Sequence, residues 1–208
     1  MWGAVCLLLA LPANAVIVDR IAITVGNKVI TESEIDLRIR LTSFENGDKP
    51  DFTLASRKRA ADRLIDQKLV EREMDVGHYP RLTGETRRSL LTQYARTVYK
   101  SDPAVVTPGL ATYGLTPDDL EDDLARQSDL LNFLNLRFRP SVQVSDQEVR
   151  QYFDEQIRPK QTQVTLNDVR TQIEQRLTTQ RADEEMEAWL KDQRKRTKIE
   201  YLEKDLAP

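Results

Sequence analysis

Apolar and polar positions alternate in IAITV, residues 21–25, and again in KVI, residues 28–30. Such alternation marks a half-buried strand, so the segment predicts a hairpin with Ile21, Ile23 and Val25 on one face and Ala22 and Thr24 on the other. Gly26-Asn27 suits its two-residue turn, because glycine accepts positive φ at the first turn position. Thr31 and Glu34 then have the spacing of a capping box, and a helix carrying Ile35, Leu37, Ile39 and Leu41 is expected from about Thr31. FENGDKPDF, residues 44–52, reads as a loop. Ala61, Leu64, Ile65, Leu69 and Val70 recur at helical spacing, predicting a long helix from Leu54 to Val76 that Gly77 can end. Thr83 is the expected cap of a further helix with Leu90, Leu91, Tyr94, Val98 and Tyr99. SDPAVVTPGLATYGL, residues 101–115, is rich in Pro and Gly and is expected to be mostly irregular, with at most one short helical turn.

Thr116-Pro117-Asp118-Asp119 joins a cap, a first-turn proline and acids that favour the positive helix end. The helix it starts is expected to run to about Arg139, before Pro140. It carries two apolar stripes, one with Leu120, Leu124, Leu131, Leu134 and Phe138, the other with Leu130, Phe133 and Leu136. Ser145 and Glu148 repeat the capping spacing ahead of Val149, Tyr152 and Phe153. A linker over residues 157–164 precedes a last helix from Thr165, whose stripe runs from Leu166, Val169 and Ile173 to Met186, Trp189 and Leu190. KIEYLEKDL, residues 198–206, reads as a strand. A lone strand needs a partner, and the early hairpin is the only other strand material. The expected fold is therefore mainly α, with a small antiparallel sheet in which the C-terminal strand joins the N-terminal hairpin. One domain would cover residues 16–208: a core over 16–156, the linker, and a closing helix and strand over 165–205.

Charge narrows the function. Lys and Arg number 31 against 34 Asp and Glu, a net charge of -3, where a nucleic-acid binder shows a strong basic excess. The first fifteen residues carry no charge: an apolar run over residues 3–11 is followed by Pro12 and Ala13-Asn14-Ala15. That pattern is a secretory signal peptide with cleavage near Ala15, although no basic residue precedes the run. It falls short of the roughly 20 residues of a membrane-spanning helix, so an exported protein with no stable membrane insertion is expected. Cys6 is the only cysteine, and cleavage would leave no thiol nucleophile and no cysteine metal site.

The remaining chemistry is sparse. His78 stands alone in a loop, GHYPR, and makes a poor zinc site. DDLEDD, residues 118–123, offers carboxylates for a cation, yet as a helix start it reads as solvated. RKRTK, residues 194–198, offers cations for phosphate, yet as a helix end it also reads as solvated. No Gly-x-Ser-x-Gly motif and no Gly-rich phosphate loop occurs. No catalytic, cofactor or metal residue is assigned. LLNFLNLRF, residues 130–138, stands apart: its double stripe means burial on two sides or one core face and one binding face. Leu130, Phe133, Leu134, Leu136 and Phe138 are the candidate client-binding residues.

The order of these parts carries a resemblance. The leader and VDRIAITVGNKVITESEID, then YGLTPDDLEDDLARQSDLLNFLNLRF, resemble the first segment and fourth core helix of the SurA family of periplasmic chaperones. VQVSDQEVRQYFDEQ is similar to the segment leading into that family's prolyl isomerase domain, and LNDVRTQIEQRLTTQRADEEMEAWLKDQRKRTKIEYLE to its closing helix and strand. Family members hold one or two parvulin domains between these last two parts, where this chain has only IRPKQTQV. The resemblance implies an ATP-independent holdase for unfolded outer-membrane or secreted polypeptides, without isomerase activity and without a cofactor. A residual prolyl isomerase and an exported assembly partner with one dedicated protein are the alternatives. The sequence leaves the oligomeric state open.

Overall fold

The computed structural model describes residues 19–100, 103–160 and 163–208; the leader and the expected cleavage site near Ala15 lie outside the described residues. The fold is mainly helical with one small antiparallel sheet. Strands β1 (Ile21–Val25), β2 (Lys28–Thr31) and β3 (Ile199–Tyr201) lie in the order β2-β1-β3. The two ends of the described chain therefore meet: Ile23, Thr24 and Val25 pair with Ile30, Val29 and Lys28 on one side and with Tyr201, Glu200 and Ile199 on the other. Gly26 takes φ +61° at the hairpin turn, and its N–H donates to the Lys198 carbonyl at 2.9 Å.

Two expectations about the strands change. The β1/β2 register shifts between Ile21 and Ile23, so Ala22 is buried and Ile21 is exposed, against the simple alternation. The last strand is shorter than residues 198–206. Leu202 and Glu203 both donate their N–H to the Ala22 carbonyl, which ends the ladder. The chain then turns through Lys204–Leu206 and buries Leu206 in the core. Glu203 is held there by Arg57 at 3.1 Å.

Helix α1 (Glu32–Asn46) starts on the expected capping box, with Thr31 Oγ1 accepting from the Glu34 N–H and Glu34 Oε2 accepting from the Thr31 N–H. It runs three residues into the expected loop and stops at Gly47, φ +72°. Helix α2 (Leu54–Val76) matches its predicted span, but the left-handed residue after it is His78, φ +52°, and not Gly77. The sheet, α1 and α2 bury Ile23, Ile30, Ile35, Leu64, Ile65 and Leu69 in one cluster.

Helix α3 (Gly84–Tyr94) continues through a π-helical turn to Tyr99, and Thr83 makes no side-chain capping bond. The segment expected to be irregular forms helix α4 (Pro103–Thr112), with Pro108 inside it. Pro at the first helical position fits; an interior proline normally costs about 3 kcal/mol. Packing outweighs that cost, because Val106 and Leu110 are buried against Leu41, Phe44, Leu115 and Leu120. Tyr94 packs against this second cluster, and desolvation pushes its phenol up to about 12. A raised folded-state value means that its contribution to stability is intact below the ordinary value of about 10 and is lost as pH rises through 12. Burial also raises Tyr201, so ultraviolet phenolate titration is expected to show a late component to which both tyrosines contribute, and Tyr94→Phe is expected to reduce it.

Helix α5 (Pro117–Arg137) ends two residues before the expected limit, and α6 (Asp146–Tyr152) continues in a π-helical turn to Ile157. Helix α7 (Leu166–Arg196) has 31 residues, about 46 Å at 1.5 Å per residue. It touches three clusters in turn: Val149 and Phe153 of the α6 region through Ile173, the aromatic centre of α5 through Ala182 and Trp189, and the sheet region through Leu190. None of the described helices is long and apolar enough to cross a membrane.

Candidate functional site

Helices α2, α5 and α7 leave a cavity of about 300 Å³ between them. Val70 and Met74 of α2, Leu130 of α5, and Met186 and Leu190 of α7 supply its apolar surface. Val70 and Met74 are buried and form the floor. Two methionines among five apolar residues give an adaptable lining, since Met is unbranched and polarisable. Charged residues from α1, α2 and α5 surround them, among them Arg38, Arg63 and Arg126.

Of the five candidate client-binding residues, the structure brings only Leu130 to this groove. Phe133, Leu134 and Phe138 are buried in the core and present no surface to a client. Phe133 is fully buried, with its ring 5.0 Å from Tyr79, 5.7 Å from Phe138 and 5.6 Å from Trp189. The Arg137 guanidinium lies 5.5–5.9 Å from the Phe133, Phe138 and Trp189 rings. Glu73 anchors it at 2.9 Å. Leu136 is exposed but does not line the groove, and neighbouring Leu131 is likewise exposed. The double stripe of α5 thus divides into a core face, one residue at the groove, Leu130, and two exposed residues, Leu131 and Leu136.

The polar wall holds a residue that the sequence reading placed in solvent. Asp123 is fully buried. Its carboxylate accepts from both terminal nitrogens of Arg38, from Gln127 Nε2 at 2.9 Å and from Arg126 Nη2 at 3.4 Å. DDLEDD is therefore solvated at its start and interior at its end. The spacing contains the signal: Asp123 follows Leu120 by three positions and precedes Leu124, which places it on the apolar stripe.

Three of the four cations in the basic run at the end of α7 have acidic partners. Arg194 donates to Asp66 at 2.6 Å and to Asp62 at 3.2 Å, and the Asp66 carboxylate raises its proton affinity further. Arg196 pairs with Asp192 and Lys198 with Glu200. These three cations are tied to this chain's own acids. His78 is exposed. Among the described residues, no group of three or more His, Cys, Asp or Glu could hold a metal ion. A larger concavity of about 1100 Å³ runs along the outer side of α7, but no large apolar side chain walls it. It is ordinary solvated helix surface.

The groove can accept an apolar side chain and hold polar groups at its edge. Sites of this kind recognise ligands through a mostly apolar lining with a few placed polar groups. No protein-family model matches this chain, and no curated protein matches it either.

Proposed function

We propose that this chain is an ATP-independent periplasmic holdase that shields apolar segments of unfolded outer-membrane or secreted polypeptides. The observation that carries the reading is the groove between α2, α5 and α7, with Leu130 and Met74 inside a charged rim. The return of β3 to β1 supports the resemblance to the SurA chaperone core, since that resemblance implies a closing helix and strand that complete an N-terminal helical body. A volume of about 300 Å³ takes only one or two large side chains, so each contact is weak and exchangeable. That suits a holdase, whose clients must leave without nucleotide hydrolysis. The reading includes no isomerase activity.

Light scattering of a denatured β-barrel protein diluted into buffer tests this. The chain is expected to delay aggregation and to bind an apolar peptide. Leu130→Asp is expected to weaken peptide binding at least about tenfold, because it places a charge in the apolar contact. Its melting temperature should stay close to that of the parent, since Leu130 is more than one-third exposed. Failure of the parent chain both to delay aggregation and to bind peptide would overturn the proposal.

A further inference from the structure

The charged rim of the groove is unevenly satisfied. Four acids line it, and each is taken up by the chain itself. Asp66 accepts from Arg194, Asp123 from Arg38 and Gln127, Asp129 from the Leu82 N–H at 2.8 Å, and Glu71 from Gln67 at 2.8 Å. The arginines differ. Arg38 is committed to Asp123, and Arg81 to Asp75 at 2.7 Å. Among the described residues Arg63 has only a 3.4 Å bond to Thr42 Oγ1 and no carboxylate partner. Arg126 reaches Asp123 at 3.4 Å, and its Nε–H is buried with no acceptor among the described residues. Two guanidinium groups with spare donors therefore border an apolar cavity.

We infer that the groove selects apolar segments that carry a side-chain carboxylate beside a bulky apolar residue. This deepens the proposed function and rests on it. The apolar residue seats against Met74, Leu130 and Leu190, and the carboxylate accepts from Arg63 and Arg126 at the edge. A buried donor without an acceptor is costly, so a ligand oxygen that draws the Arg126 guanidinium round and engages Nε–H recovers that cost. Arginine–carboxylate bonds are stronger than neutral ones and are frequently bidentate. A cationic side chain at the same place meets two like charges.

The test uses the full chain and terminally blocked peptides in which a Leu-Phe pair is followed by Glu, Gln or Lys, read by fluorescence anisotropy. The Glu peptide is expected to bind about tenfold tighter than the Gln peptide, a difference of about 1.4 kcal/mol, and the Lys peptide more weakly than either. The Glu/Gln ratio should fall as ionic strength rises, and should drop below about twofold in Arg63→Gln and in Arg126→Gln. The peptide exchange leaves the protein unaltered, so it stands even if one variant misfolds. Equal binding of the Glu and Gln peptides, with both weakened by Leu130→Asp, would overturn this inference and leave the holdase reading intact. A Gln peptide with a free C-terminal carboxylate that matched the Glu peptide would overturn the assignment to a side chain. Absence of binding by any peptide would overturn this inference, and joined to a failure to delay aggregation it would overturn the holdase reading itself.

Discussion

Asp123→Ala is expected to lower folding stability by about 3–5 kcal/mol, as the midpoint of a urea unfolding curve would report. Asp123 is fully buried, and the side chain of its main partner, Arg38, is only 14% exposed. Alanine would leave the Arg38 guanidinium largely out of water and facing Arg126 without an intervening negative charge. Breaking one side of a buried pair costs more than the pair contributes, because the remaining charge stays desolvated. The same reasoning predicts partial recovery. The double change Asp123→Leu with Arg38→Met removes both charges and should regain most of the loss. A single-variant loss below about 1 kcal/mol would show that water reaches Asp123 freely.

Phe133→Ala is expected to cost about 3–5 kcal/mol, the range for a large aromatic removed from a core. Its ring contacts Tyr79, Phe138 and Trp189 in edge-to-face and tilted arrangements, which add to the area term. Leu136→Ala, three residues along the same helix, should stay within about 0.5 kcal/mol, because Leu136 is exposed. Paired urea titrations of these two variants test the division of the α5 stripes directly. Similar values for both would contradict the burial described for Phe133.

The elements with strong local signals were legible from the sequence. The capping boxes at Thr31 and Ser145 form as the spacing predicts, and the cap expected at Thr116 forms too, with Asp119 completing a box there. The hairpin and the antiparallel return of the last strand also follow from alternation and from the need of a lone strand for a partner. The misreadings fall where tertiary contacts outweigh local preference. Pro103 and Pro108 speak against a helix, but the burial of Val106 and Leu110 decides the matter. Phe133 and Leu130 belong to the same predicted stripe, and periodicity alone does not say which position meets a helix and which meets a gap between helices. Asp123 matches its acidic neighbours by type, but its position relative to Leu120 and Leu124 carries the more informative signal. The groove takes residues from α2, α5 and α7, and a juxtaposition of three distant segments leaves no local trace.

Strand β1 sits at the centre of the sheet, between a neighbour three residues further on and another about 175 positions away. A ribosome delivers that second neighbour only after α1 to α7 have been made. Until then β1 has an open edge, and the body it belongs to lacks Leu206 and the lower half of α7. Closure of such a long loop is slow relative to hairpin and helix formation. A nascent chain of this protein must therefore wait, with one strand edge unprotected, until β3 has left the ribosome.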